Sequence, residues 1–277
     1  MEIPSSVVDI LHRALEEDLG PCDITTSLLI PEENISTARY VAKGDFVLAG
    51  FPFAKEVFRI LDPLIEWQIY SPECSKVGKG DILAEISGKT RAILAGERVS
   101  LNILQRLSGI ATLTSLYVDK IRGLKAKILD TRKTIPCQRF MEKYAVRAGG
   151  GNNHRFGLFD GILIKDNHIK AVGSIKESVQ RAKKGHHLTR IEVEVATLQD
   201  LMEAIHSGAD VVMLDNMPVN DIKEAVKKAG DSVILEASGG INLENVREIA
   251  ETGVDLISVG ALTHSAAAAD ISLKIAK

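Results

Sequence analysis

The chain has 277 residues and a formal net charge of −3, with 45% apolar, 26% charged and only 4% aromatic residues. This composition excludes a disordered segment and a strongly basic nucleic-acid binder, and no run approaches the roughly 20 apolar residues of a membrane span. The length leaves room for two unequal domains, each able to bury its own core.

The first twenty residues, MEIPSSVVDILHRALEEDLG, space their apolar positions as an amphipathic helix does and carry acids where a signal peptide would be basic. Cys22, Cys74 and Cys137 are an odd number without a CxxC pair, so neither a disulfide framework nor a zinc knuckle is indicated. A cytoplasmic address follows, with neither nucleic acid nor membrane as partner. Residues 37–95 hold short strand-like runs, ARYVAKGDFVLAG, EWQIYS and GDILAEISG, which predict a small β-rich domain. Lys-Gly-Asp occurs at Lys43 and again at Lys79 and reads as turn chemistry. From Ile93 to Gly123 leucines and isoleucines recur at helical spacing, with Gly109 marking a break. The domain boundary is expected in this helical region, dividing the chain into 1–108 and 109–277, with the last helix free to pack back on the first domain.

Beyond the boundary the chain alternates strands and helices: AKILDTRK, DGILIKDN, RIEVEVA, DVVMLDN, SVILEASGG and DLISVGA are separated by stretches such as LQDLMEAIHSG. Repeated βα units with polar residues at each C-terminal strand end predict a parallel (β/α) barrel whose strand ends share one mouth. A doubly wound open sheet is the rival, but GxGxxG is missing after its first strand.

The chemistry concentrates between Thr131 and Lys170. Eight cations, Arg132, Lys133, Arg139, Lys143, Arg147, Arg155, Lys165 and Lys170, face only Glu142, Asp160 and Asp166, with His154 and His168 besides. In an acidic chain such a cluster points to an anionic small molecule. Arg132, His154 and Arg155 offer donors for carboxylates, and Lys133 and Lys165 add point charges. A Schiff-base role for Lys165 is an alternative, His168 reads as a helix-start residue, and Cys137 as a catalytic thiol has no further support. Ser238-Gly239-Gly240 and Val259-Gly260-Ala261 are glycine-bearing strand ends where backbone N–H groups can hold a phosphate, helped by the dipoles of the helices that follow. Glu192 and Glu194 lie two apart on one strand and so face the lumen together. With Asp215 on the next strand end, Glu194 is expected to take ribose hydroxyls or Mg²⁺, and ion pairing with an inward Lys or Arg is the simpler role for one of the two glutamates.

Several motifs in fixed order now carry a resemblance. LDTRKT at 129–134, EKYAVRAGGGNNHRFGL at 142–158, LIKDNHI at 163–169, EVEV at 192–195, MLDNM at 213–217, LEASGGI and GVDLISVGALTHS resemble the quinolinate phosphoribosyltransferase family. So do EEDLG, DITT and GERVSLNILQRLSGIAT nearer the start. The family usually continues TRKT into a Pro-Gly pair, whereas here Pro136 precedes Cys137, a departure that bears on the turn. The resemblance implies an α/β protein, an incomplete (β/α) barrel with a smaller N-terminal α/β sandwich domain. It also implies a homodimer whose sites borrow residues across the interface, alone or as the unit of a higher oligomer. The implied reaction joins quinolinate and phosphoribosyl pyrophosphate, with Mg²⁺, to give nicotinate mononucleotide, carbon dioxide and pyrophosphate. Residue by residue, Arg98 matches the borrowed arginine, and with Arg132, His154, Arg155 and Lys165 would hold the dicarboxylate. Lys133, Glu194 and Asp215 would serve the phosphoribosyl donor and carry the catalytic role, Glu194 and Asp215 as metal ligands. Ser238, Gly239, Gly240, Val259, Gly260 and Ala261 would take its phosphate. A homologue of the same fold with another substrate, and a binding protein without turnover, are the competing readings.

Overall fold

The computed structural model describes residues 2–185 and 187–276. They form two compact units, one of Met1–Ser115, Ile135–Gly150 and Ala266–Lys277, the other of Leu116–Thr134 and Gly151–Ser265. The division is therefore not a single cut along the chain.

In the first unit α1 (Ser5–Leu19) buries Val7, Leu11 and Leu15, one per turn as its pattern requires. DITT encodes a helix start: the Asp23 side chain accepts the Thr26 N–H at 2.9 Å and caps α2 (Ile24–Leu29). Strands β1 (Ile35–Ala42), β2 (Phe46–Val47), β3 (Glu66–Ile69), β4 (Lys76–Val77) and β5 (Ile82–Lys89) follow, with α3 (Phe51–Leu61) after β2 and α4 (Thr90–Lys120) after β5. Among them β1, β5 and β3, joined by the final strand β12 (Ile271–Ile275), make an antiparallel sheet in the order β12-β1-β5-β3. Tyr40, Leu83 and Ile86 of the sheet share one core with Phe58 of α3 and Leu101 and Leu104 of α4, which is an α/β sandwich. The Lys-Gly-Asp sequences are turns, closed by Asp45 Oδ1 accepting the Lys79 N–H at 2.9 Å and by Asp81 Oδ2 accepting the Gly78 N–H at 2.8 Å.

Three expectations need correction here. Helix α3 interrupts the stretch read as β-rich, and its buried first N–H groups, which lack intrahelical acceptors, are met by a distant side chain: Glu73 accepts Gly50 N–H at 2.5 Å and Phe51 N–H at 3.2 Å. The last segment is a strand rather than a helix, its alternating Ile271 and Leu273 buried as it pairs Ala42↔Ile271 through Ala38↔Ile275. Gly109 does not break α4, which runs through it. A Cβ there would stand 1.9 Å from the carbonyl oxygen of Ala267, so the residue is glycine to admit another backbone.

The excursion 135–150 carries α5 (Arg139–Ala148), whose wholly buried Glu142 takes Arg106 Nη2 at 2.8 Å, Arg106 Nε at 3.1 Å and the Ile135 N–H at 3.1 Å. Just before it, Gln138 N–H returns to Ile135 O at 3.1 Å around Pro136 and Cys137, and Cys137 has φ +65°. This is a type II turn, whose third position favours glycine. Cys137→Gly is expected to stabilise the chain by about 0.5–1 kcal/mol, read as a higher urea midpoint at unchanged slope, because it relieves a left-handed residue with a Cβ.

The second unit consists of βα repeats: β6 (Lys127–Leu129), β7 (Ile162–Ile164), α6 (Asp166–Val172), α7 (Ile175–Ala182), β8 (Ile191–Val195), α8 (Leu198–Ser207), β9 (Val211–Asp215), α9 (Val219–Ala229), β10 (Ile234–Ser238), α10 (Val246–Ala250), β11 (Leu256–Ser258) and α11 (Ala261–His264). Ser174 and Thr197 cap α7 and α8, accepting the N–H of Glu177 and of Asp200, each at 3.1 Å. The six strands are parallel in the order β6-β11-β10-β9-β8-β7, the curved wall of a barrel short of the usual eight strands. On the outer edge of β6 the chain at Asn152 runs alongside, Asn152 N–H to Ile128 O at 2.8 Å and Asp130 N–H to Asn152 O at 3.1 Å. No helix among the described residues is long and apolar enough to cross a membrane.

Candidate active site

All six strands point their C-terminal ends the same way, and a pocket of about 430 Å³ opens there. Arg132 and Lys133 reach it from the end of β6, Lys165 from β7, Glu194 from β8 and Asp215 from β9. His154 and Arg155 enter from the segment beside β6, and the glycine turns 238–240 and 259–261 line it from the ends of β10 and β11. Thus Arg132, Lys133, His154, Arg155, Lys165, Glu194, Asp215 and both glycine turns line this one pocket, whereas Glu192 and Arg98 do not. Nor do Arg139, Lys143, Arg147 and Lys170 of the cationic stretch, the first three of which lie on α5 in the first unit. Arg98 is exposed on α4 in the first unit, in a separate groove with Arg13 and Arg106.

The segment carrying His154 is pinned by Asp130. This carboxylate is fully buried at the end of β6; Oδ1 accepts the His154 N–H at 2.9 Å and Oδ2 the Asn153 side-chain N–H at 2.5 Å. The Arg155 guanidinium is fixed by Nη1 donating to Gly161 O at 2.9 Å. Its pKa is lowered by burial first and by the neighbouring Arg132 charge second, with Glu192 opposing. A cation held under such conditions gains most when an anion arrives. Lys165 donates to Glu194 from its Nζ, while its backbone N–H goes to His168 Nδ1 at 2.9 Å. His168 is therefore the helix-start residue expected of it. The Schiff-base alternative finds no support in a lysine whose ammonium already serves a carboxylate beside a cationic cluster.

The glycine turns are shaped by close approach. Gly239 has φ +93°, and a Cβ on it would meet Asn216 Oδ1 at 2.2 Å. Asn216 is itself left-handed at φ +53° and donates its N–H to Ser238 O at 2.8 Å, so the ends of β9 and β10 lock together. At Gly260 a Cβ would stand 3.0 Å from Lys133 Cδ, and Thr263 Oγ1 donates to Lys133 O at 2.9 Å, which holds Lys133 across the turn. One expectation is corrected: α10 begins only at Val246, so the 238–240 turn offers backbone donors without a helix directly behind it. Thr131, Met213 and His264 also line the pocket and were not singled out by sequence. His264 sits within one turn of Ala261, the only signal that could have found it.

Of the two inward glutamates, Glu194 reaches the pocket, whereas Glu192 is buried behind its lining. Glu192 Oε2 is 3.1 Å from His154 Nε2, and Glu236 Oε2 is 3.7 Å from the same nitrogen. Two strand residues that face one lumen thus stand at different depths, Glu194 at the pocket and Glu192 against His154. Burial, then the Glu192 charge, pushes the Glu236 carboxyl up from 4.5 to about 7. Cys137, exposed in the first unit, is not part of this site.

A barrel mouth lined by cations and by close-approach glycine turns defines an enzyme that holds an anionic, phosphate-bearing small molecule. The particular family follows from comparison. Residues 110–274 match the model of the quinolinate phosphoribosyl transferase C-terminal domain, and residues 23–108 match that of its N-terminal domain. A probable nicotinate-nucleotide pyrophosphorylase (carboxylating) of Bacillus subtilis (strain 168) is 45% identical over 96% of this chain and 92% of its own. The corresponding enzyme of Mycobacterium leprae is 40% identical over 96% of each. The solved nicotinate-nucleotide pyrophosphorylase from Francisella tularensis is 44% identical and superposes with a TM-score of 0.95 over 99% of this chain and 98% of its own. The chain belongs to the quinolinate phosphoribosyltransferase family.

A raised Glu236 means that the folded chain keeps a proton which the unfolded chain has released between pH 4.5 and about 7. The stability this group contributes is present below that window and lost as pH rises through it. Glu236→Gln should therefore melt above wild type at pH 8, the difference closing toward pH 5. A parallel pair of melting curves across that range would exclude the buried titration.

Proposed function

We infer that the protein transfers the phosphoribosyl group of phosphoribosyl pyrophosphate to quinolinate with decarboxylation, giving nicotinate mononucleotide, carbon dioxide and pyrophosphate in NAD synthesis. The observation that carries this reading is the convergence of Arg132, His154, Arg155 and Lys165 on the same pocket as two glycine turns. The three cations suit the two carboxylates of a pyridine diacid, with the His154 imidazole beside them holding the backbone of Arg155, and the turns suit the 5-phosphate of the sugar.

As pyrophosphate leaves C1 of the ribose, the sugar develops positive charge, and the carboxylates of Glu194 and Asp215 stabilise it while Lys133 faces the departing anion. The pyridine nitrogen forms the new bond to C1. The ring, now cationic, accepts the electron pair released when the adjacent carboxylate leaves as carbon dioxide, and a proton takes the vacated ring carbon. Arg132 and Arg155 keep the diacid oriented through both steps, and no covalent nucleophile is needed. Glu194 and Asp215, oxygen donors at adjacent strand ends beside the phosphate turns, fit Mg²⁺ and would hold it. When bound, the ion neutralises charge on the pyrophosphate. Arg98, exposed and outside this pocket, completes the site of a second copy in a homodimer. The cytoplasmic address belongs to the same reading, and the three unbridged cysteines are in keeping with it.

The deciding assay combines the purified protein with phosphoribosyl pyrophosphate, Mg²⁺ and either quinolinate or nicotinate, following nicotinate mononucleotide and carbon dioxide. Product is expected from quinolinate alone, and Arg132→Ala should lower that turnover on the order of 100-fold with its circular dichroism unchanged. Product from nicotinate without carbon dioxide overturns the diacid assignment, and undiminished turnover by folded Arg132→Ala removes that residue from it.

The shared site has its own test. Arg98→Ala and Lys133→Ala, each inactive alone, are expected to recover about one quarter of wild-type activity when co-expressed, since half the dimers are mixed and each carries one complete site. Absence of recovery in dimers of mixed composition rejects donation of Arg98 across the interface.

A further inference from the structure

Behind the pocket lining, three side chains from different parts of the barrel meet. His154 Nε2 faces Glu192 Oε2 at 3.1 Å and Glu236 Oε2 at 3.7 Å. Both carboxylates are buried, and Oε1 of each has no hydrogen-bond partner among the described residues. The other ring nitrogen, Nδ1, accepts the backbone N–H of Arg155 at 2.8 Å. A ring nitrogen that accepts carries no proton, so the neutral imidazole bears its proton on Nε2, directed at Glu192. The ring is therefore held from below by a carboxylate, and it in turn holds the backbone of the arginine that lines the pocket.

We propose that Glu192, backed by Glu236, is a positioning residue for the diacid. It fixes the tautomer and plane of His154 and, through His154 Nδ1, the placement of Arg155. Neither glutamate touches substrate; both act through the imidazole, as an outer carboxylate does behind a ligating histidine. The burial of two carboxylates under a cationic mouth has this compensation: Glu192 favours the charged form of Arg155, against burial and Arg132. The inference rests on the reaction above, because it assigns these residues to the quinolinate half of the pocket rather than to the phosphoribosyl half, where Lys133, Asp215 and the turns lie. Loss of Glu192 should therefore weaken one substrate and spare the other.

Two readouts separate the proposal from the reaction it rests on. The first needs no substrate: the ¹⁵N spectrum of the unliganded protein, with His154 assigned by comparison with His154→Gln, is expected to show the Nε2-protonated tautomer. Glu192→Ala should convert it to an averaged tautomer mixture, and Glu192→Gln, whose amide oxygen can still accept, should retain it. The second is kinetic. Glu192→Ala is expected to raise the quinolinate KM about tenfold with the phosphoribosyl pyrophosphate KM within twofold, and Glu192→Gln to restore most of the loss. If the wild type turned over no quinolinate, the reaction would fall while the spectrum still tested the positioning role. An unchanged tautomer in Glu192→Ala, or equal rises in both KM values with a lowered melting temperature, would overturn the proposal. So would one equivalent of a transition metal retained through chelator dialysis by wild type and lost by Glu236→Ala, which would make the three residues a metal centre.

Discussion

The buried Asp130 carboxylate is the constraint on which the site depends. It stands at the end of β6 with no exposed surface, and both oxygens are used on residues 153 and 154. A carboxylate in that position would be costly without donors, so the donors must be there whenever the unit is folded. The result is that a loop some twenty residues downstream is tied to the strand that carries Arg132 and Lys133. Cations from two stretches of chain then share one wall of the pocket. A loop free to relax would move Arg155 away from Arg132, since the two charges repel.

Gathering that much positive charge needs counter-charge nearby, and the barrel supplies it in layers. At the level of the pocket Glu194 receives the Lys165 ammonium, so this pair is neutral before any ligand arrives. One level deeper Glu192 and Glu236 face His154. The lining is thus cationic toward solvent and carboxylate-backed toward the core. This arrangement explains how a chain of net charge −3 presents a local anion trap. It also explains why a proton is retained at Glu236: two buried carboxylates facing one imidazole cannot both ionise cheaply.

What could be read from the sequence follows a physical rule. Strands with polar C-terminal ends were legible because parallel βα repeats bring those ends together whatever the details, so Arg132, Lys165, Glu194, Asp215 and both glycine turns could be placed in one mouth without coordinates. Features set by contacts remote in sequence were not legible. Gly109 looks like a helix break until the Ala267 backbone is seen against it, and the acceptor that meets the first N–H groups of α3 is Glu73, 23 residues beyond Gly50. The closing strand was read as a helix because its pairing partner, β1, lies at the other end of the chain. The Pro136-Cys137 departure was legible as a turn question, and the positive φ of Cys137 shows that the turn is kept with a less suitable residue.

The His154–Glu192–Glu236 group illustrates the same limit at finer scale. By strand register Glu236 and Glu194 are level, since each pairs with Met213. Yet Glu236 meets His154 together with Glu192, two residues lower on β8. Strands in such a wall tilt, and a tilt of about 36° displaces a horizontal layer by about one residue per strand, hence about two between β8 and β10. Side chains that share a layer therefore come from alternate strands and are offset from the hydrogen-bonding register. Periodicity alone places Glu192 and Glu194 on one face and can say nothing of which layer each occupies. The tilt decides it: Glu194 rises to the pocket beside Lys165, and Glu192 remains beneath as the acceptor for the imidazole.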